Sequence, residues 1–294
     1  MKLHEDNERF TYLVQETTKY IGFSSDIICK DYYVMLLLKE IIKAEPDLIF
    51  KGGTSLSKAW HVINRFSEDI DLTHTDKLGE SRRHRINKHI CEVIRNLELV
   101  DTCERKFDKN EFRRFIVDYP KVTDEETFYK KDVIIESAFQ LQSFPTDRKY
   151  VCSYIADYLK SIDREDLIEM YELEPFEVNV QTLDRTFIDK VFALCDYKIE
   201  GRLKMHARHI YDLYKLYPLI TFDENFKNLV KEIRELRKDN EKCFSAKDGE
   251  DVNAHLKEIV EKDVYKADYN GNTVRINVNN DDIDSQCGKC EDVI

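Results

Sequence analysis

The segment Asp31 to Lys43, DYYVMLLLKEIIK, is apolar around most of a helical circumference and predicts a buried helix. Asp47 to Phe50 is a short apolar run ending at Gly52-Gly53, which predicts a strand entering a turn. Thr54 to Ile63 carries Leu56, Ala59, Trp60 and Ile63 at helical spacing. Asp69 to Thr73, DIDLT, alternates polar and apolar as a half-buried strand does. A helix is expected over Ser81 to Leu97, with strands over Arg113 to Tyr119, Asp132 to Phe139 and Phe176 to Val180. Past these the period turns helical. Thr186 to Ile199 and Leu203 to Tyr217 are two helices, the second stopping before Pro218. Thr221 and Glu224 have the spacing of a capping box for a third, and Asn253 to Tyr265 reads as a fourth. These elements define an α+β domain, expected over residues 1–185, followed by a helical bundle over 186–294. The bundle ends in a polar, acidic tail from Asn270 that is expected to be loosely ordered.

Composition narrows the class. The 294 residues include 58 acids against 46 Lys and Arg, a net charge of −12, which argues against a protein that coats nucleic acid passively. One local basic patch remains compatible with that total, because salt screens surface charges over roughly 8 Å. The start, MKLHEDNERF, is polar, and no apolar run approaches the roughly 20 residues of a membrane span. A cytoplasmic protein with reduced thiols is therefore expected. Cys287 and Cys290 form a single CxxC in the tail, half of a zinc site at most, and read as incidental thiols.

Candidate chemistry concentrates in Lys51 to Thr73, KGGTSLSKAWHVINRFSEDIDLT. Gly52 and Gly53 allow close backbone approach to a ligand, and the following helix start favours phosphate. Thr54 and Ser55 offer hydroxyl donors there, and Arg65 and Ser67 border the next strand as contacts for phosphate or nucleobase. Lys58 sits one turn into the helix, either toward the ligand or simply solvated. Residues two apart on a strand share a face, so Asp69 and Asp71 point the same way while Ile70 and Leu72 enter the core. Two carboxylates held together repel, and a hard divalent cation such as Mg²⁺, or Mn²⁺, relieves that cost. Glu136, an acid within the apolar run Val133-Ile-Ile-Glu, is the candidate third metal ligand; a salt-bridged edge residue is the other reading.

The diglycine followed by a spaced D-x-D resembles the signature of DNA-polymerase-β-like nucleotidyltransferases. More closely, GGTSLSKAW with RFSEDIDL resembles the AbiEii/AbiGii toxin family, the nucleotidyltransferases of type IV toxin–antitoxin and abortive-infection systems. The spacer between Gly53 and Asp69 is slightly longer than in the general signature and usual for that group. TLDRTFIDKVFAL resembles the family helix that carries an active-site lysine, which assigns that role to Lys190. ARHIYDLY resembles a further family segment and assigns its aspartate to Asp212 and an arginine to Arg208; His209 stands where the family usually has an acid. The resemblance covers roughly residues 47 to 217. It implies a polymerase-β-like mixed sheet with flanking helices, NTP as substrate, and Lys190 neutralising triphosphate charge with Asp212 orienting either Lys190 or the substrate.

The same resemblance implies a nucleic-acid acceptor, with tRNA 3′ ends as the acceptor of some members. It also implies a neighbouring antitoxin that opposes the toxin without a stable complex. Arg82, Arg83, Arg85 and Lys88, in a stretch without acids, and Arg202, Lys204 and Arg208 are the candidate RNA contacts. Two alternatives stay open: a transferase acting on an antibiotic-like small molecule, and a non-catalytic nucleotide-binding module. A Rossmann-type enzyme is disfavoured because Gly52-Gly53 lacks the GxGxxG spacing.

Overall fold

The computed structural model describes residues 1–103, 111–120 and 132–270. The tail from 271, with the Cys287–Cys290 motif, lies outside the described residues. The chain divides into two compact units. The first comprises Met1–Trp60, Ser67–Phe139 and Thr146–Val180; the second comprises His61–Phe66, Gln140–Pro145 and Gln181–Ile294.

The first unit is built on a seven-stranded mixed sheet in the order β3-β4-β5-β2-β1-β7-β6. The strands are β1 (Ile49–Lys51), β2 (Asp69–Thr73), β3 (Val100–Asp101), β4 (Phe112–Asp118), β5 (Val133–Ala138), β6 (Thr146–Val151) and β7 (Phe176–Gln181). β2 runs antiparallel to β1 and parallel to β5, while β4 is antiparallel to β5. The helices of this unit are α1 (Asn7–Ile21), α2 (Ser25–Ala44), α3 (Gly52–Lys58), α4 (Glu80–Asn96), α5 (Tyr154–Ser161) and α6 (Glu165–Met170). α2 packs against β2 and β5 and against α1, α4 and α5. Its neighbours explain its composition: a helix covered on nearly every side has no polar face to keep. Ile70 and Leu72 of β2 and Ile135 of β5 are fully buried in the resulting core. The sheet is thus the mixed, helix-flanked sheet of an α+β protein, as the alternating and helical periods predicted.

The second unit is helical, with α7 (Leu183–Ile199), α8 (Arg208–Leu216), α9 (Glu224–Lys238), α10 (Val252–Glu261) and the short α11 (Lys266–Asp268). α7 packs against α8, α9 and α10. Asp268 accepts hydrogen bonds from the backbone N–H groups of Met205, His206 and Ala207, which satisfies donors at the start of α8.

Several boundaries differ from the expectations for physical reasons. The helix expected over Thr54 to Ile63 ends at Lys58, and the chain then turns through His61, whose φ is 53°. α8 stops at Leu216, before Pro218 as expected, and passes into a 3-10 turn over Tyr217–Leu219, but it starts at Arg208 rather than Leu203. The third bundle helix starts at Glu224 and is capped by Asp223, whose carboxylate accepts from the Phe226 N–H. Asp223 displaces the expected Thr221 box because a carboxylate directly before the helix is a stronger cap than a hydroxyl three residues out. α1, α5, α6, β3 and β6 were not predicted; β6 carries Thr146, Asp147, Arg148 and Lys149 and lacks the apolar alternation that reveals a strand.

Candidate active site

The sheet unit places the diglycine and the acidic pair on adjacent strands. Lys51, the last residue of β1, is the register partner of Asp71 in β2. Gly52 follows with φ +79°, in the left-handed region that glycine adopts without penalty. A side chain there would be intolerable for a second reason. A Cβ on Gly52 would stand 2.0 Å from Asp71 Oδ2. The missing side chain is the notch into which the carboxylate fits. Asp69 and Asp71 are both partly exposed, whereas the intervening Ile70 is fully buried, so the alternation holds and both acids share a face.

Other residues of the motif hold this arrangement together. The Thr54 hydroxyl lies 2.6 Å from the Asp69 carbonyl and 3.1 Å from Ser67 Oγ, tying α3 to the start of β2. Ser55 donates its hydroxyl to the Gly52 carbonyl and is fully buried. Both hydroxyls were expected to serve a nucleotide; the structure spends them on backbone geometry instead. Lys58 is likewise not solvated. It is buried, 2.8 Å from Asp31 and 3.6 Å from the centre of the Tyr154 ring. Lys30, also buried, pairs with Glu68 directly before Asp69.

Glu136 sits on β5 as the parallel register partner of Asp71. β5 lies between β4 and β2, so Glu136 is not an edge residue. Its Oε1 accepts from Arg114 Nε at 2.8 Å and Nη2 at 2.5 Å. Among the described residues no three His, Cys, Asp or Glu side chains are gathered as an ion site. Two same-face carboxylates, one seated in the Gly52 notch, are nevertheless the donor chemistry a hard divalent cation takes, and Glu136, held by Arg114, stands on the neighbouring strand at the register of Asp71.

The helical unit assembles a second charged cluster. Asp212 on α8 is fully buried. Its Oδ1 accepts from Arg65 Nε at 2.8 Å, and its Oδ2 accepts from Arg65 Nη2 and Lys190 Nζ, each at 2.7 Å. Arg65 was expected to reach phosphate or base. It is instead only 3% exposed and gripped in a two-pronged pair, because its segment, His61–Phe66, packs with the helical unit. Burial pushes the Asp212 carboxyl upward, but Arg65 and Lys190 outweigh that and hold it well below the usual carboxylate range. Burial lowers Lys190, and the charges of Arg65 and Arg208 lower it further, against the pull of Asp212. Burial first, then Lys190 and Arg208, push His209 well below the ordinary imidazole value, so at neutral pH it adds no charge.

The basic stretches divide on inspection. Arg82 grips buried Glu45 with two hydrogen bonds, and His89 joins the same carboxylate at 2.6 Å. Arg83 donates to the Leu78 carbonyl. Arg85 and Lys88 point to solvent, Lys88 near Glu92. In the helical unit Arg202 and Lys204 are exposed, Arg202 paired with Glu200, and Arg208 is half-buried. Residues missed from the sequence are Arg114 and Lys51; only the strand register shows that they share the row of Asp71 and Glu136.

A mixed sheet with an acidic pair notched against a diglycine turn on the next strand defines the nucleotidyltransferase class. The chain matches the family described as the nucleotidyl transferase AbiEii toxin of type IV toxin–antitoxin systems over residues 36–285. It belongs to that family and is a nucleotidyltransferase toxin. No curated protein matches it. Among solved structures it is similar to MenT4, a nucleotidyltransferase toxin from Mycobacterium tuberculosis H37Rv, at 15% identity and a TM-score of 0.49, with 96% of this chain and 98% of that one covered. No helix among the described residues is long and apolar enough to cross a membrane.

Proposed function

We propose that this toxin transfers a nucleoside monophosphate from an NTP to an RNA acceptor, with the 3′ end of tRNA as the first acceptor to test. The observation that carries the reading is the Gly52 notch. A strand pair that reserves a side chain's volume for one oxygen of Asp71 is built to fix a carboxylate, and fixed carboxylates are what metal-assisted phosphoryl transfer requires.

Asp69 and Asp71 would hold Mg²⁺ or Mn²⁺, with Glu136 as the further carboxylate. When bound, the ion supplies charge that stabilises the transferring phosphoryl group. Gly52 and Gly53 let the main chain approach the NTP phosphates without Cβ interference. Ser67, joined to Thr54, keeps its hydroxyl beside the strand start and is a nucleotide contact in this reading. Lys190 supplies a point cation for the polyphosphate, and Asp212 orients it. Arg65 acts through Asp212, as the second cation that keeps that carboxylate ionised. Arg85, Lys88, Arg202, Lys204 and Arg208 are the side chains assigned to the RNA backbone. The cognate antitoxin is proposed to act without a stable complex.

The test is incubation with each α-³²P-labelled NTP, Mg²⁺ and total RNA, comparing wild type with Asp69→Ala. Label entering a tRNA-sized band with wild type only supports the reading. Unchanged tRNA ends with all four NTPs would remove that acceptor, and label in a small molecule would redirect the activity.

A further inference from the structure

The register aligns four charged residues in one row across β1, β2, β5 and β4: Lys51, Asp71, Glu136 and Arg114. Partners directly across adjacent strands share a face, and strands lie about 4.8 Å apart, so Arg114 stands two strands from Asp71 on its side of the sheet. This row needs an explanation, because Arg114 holds a carboxylate that the acidic pair could use. The quality of that hold is informative. Both Arg114 donors, Nε and Nη2, converge on the single oxygen Oε1 of Glu136. The Arg114 side chain is 51% exposed and that of Glu136 24%. The Arg65–Asp212 pair is the opposite case: both oxygens are used, and both groups are buried. A fork closed on both oxygens in the interior is a fixture. A half-exposed pair contributes little to stability and is readily exchanged.

Charge gives the exchange a direction. Asp69, Asp71 and Glu136 against Lys51 and Arg114 leave this group of five side chains one charge negative. A bound dication would turn the group one charge positive and release the guanidinium for the nearby phosphates, whose charge of several units takes more than one cation.

We propose that Arg114 is an exchange cation: it holds Glu136 in the metal-free protein and passes to the NTP phosphates when Glu136 is drawn to the metal. The proposal rests on the Asp69–Asp71 metal reading. It makes Glu136 a conditional third ligand and Arg114 a phosphate contact available only after loading.

The full-length chain is titrated with free Mn²⁺, followed by electron paramagnetic resonance. Separately, it is titrated with α,β-methylene NTP analogues, with Mg²⁺ and with EDTA. Arg114→Gln removes a competitor for Glu136 and a repelling charge, so Mn²⁺ should bind up to about fivefold tighter. The same variant should bind the Mg²⁺–analogue complex about tenfold more weakly, having lost a charge-assisted hydrogen bond. Arg114→Lys should recover part of the analogue affinity. Opposite signs in the two titrations are the signature; unchanged affinities, or a shift of both in one direction, overturn the proposal. Should Arg114→Gln fail to fold, Glu136→Gln reads the exchange from the other side. It frees Arg114 and should raise analogue affinity in EDTA severalfold, and a fall or no change there overturns it. Wild-type Mn²⁺ binding that is insensitive to Asp71→Asn would sink the metal reading itself, and the exchange with it.

Discussion

Two charged clusters carry the chemistry of this protein, and they are built on contrary principles. The sheet unit presents Asp69 and Asp71 on one face of a strand, partly exposed, one of them seated in a notch left by Gly52. The helical unit buries Asp212 completely and closes both its oxygens on Arg65 and Lys190. The first cluster gathers like charges and invites a cation. The second is internally paired, with one cation in excess and His209 held neutral beside it. Like charges at a surface mark a place where something binds, whereas opposite charges in the interior mark parts that hold one another in position. Substitutions should therefore separate the two: those in the first should remove activity while sparing the fold, and those in the second should damage both.

The largest effect is expected at the acidic pair. Asp71→Asn keeps the shape and removes the charge, and should lower nucleotidyl transfer by about a thousandfold or more, since metal charge stabilisation is worth several kcal/mol. Its denaturant midpoint should match or exceed the wild type, because a repulsion is relieved. Substantial residual activity would show that the dyad does not hold the metal. Asp212→Asn inverts the pattern. It leaves Arg65 and Lys190 buried against a neutral amide and should cost about 3–5 kcal/mol of stability at pH 7. The depressed carboxyl contributes stability that is fully present above the unfolded value near 3.9 and is lost as pH falls through the lower folded value. The stability gap between variant and wild type should accordingly narrow below about pH 4. A gap that is flat with pH would mean the carboxylate charge contributes nothing.

Gly52→Ala sits between these extremes. The left-handed backbone alone costs about 1–2 kcal/mol for a residue with Cβ. The collision with Asp71 Oδ2 must also push that carboxylate aside. Modest destabilisation with activity loss approaching that of Asp71→Asn is the expected outcome. Destabilisation with activity intact would mean the notch serves only the turn.

The contrast between the clusters also explains what the sequence revealed. β2 was legible to the residue, because DIDLT alternates and its apolar members are fully buried. The pairing of Lys190 with Asp212 was accessible only through family resemblance, since 22 residues separate them and nothing local predicts that α7 and α8 pack together. Thr54, Ser55 and Lys58 were read as ligand contacts because a hydroxyl or amine after a diglycine looks the same whether it turns outward or inward. Burial decides that, and burial depends on Asp31, Asp69 and Tyr154, from distant parts of the chain. Arg114 was invisible for a related reason: a charged residue in an alternating strand reads as solvated until the register shows its neighbour.

The smallest effects should come from the basic helix α4, where the same contrast recurs within one element. Arg82 belongs to the fixed kind: it neutralises Glu45, whose side chain is 3% exposed. Arg82→Ala should lower stability through the stranded carboxylate. Arg85, one turn along and exposed, has no such duty, and Arg85→Ala should leave the unfolding transition unchanged within about 0.5 kcal/mol. If α4 faces RNA, that variant should reduce the slope of log affinity against log salt by about 0.7–0.9, one phosphate contact, in filter binding across several salt concentrations. An unchanged slope would remove Arg85 from the RNA surface and leave Lys88 on the same helix and Arg202, Lys204 and Arg208 of the helical unit as the remaining contacts to test. A changed slope with unchanged stability would show that two arginines three residues apart on one helix do opposite jobs, one neutralising an interior acid and the other meeting a polyanion from solvent.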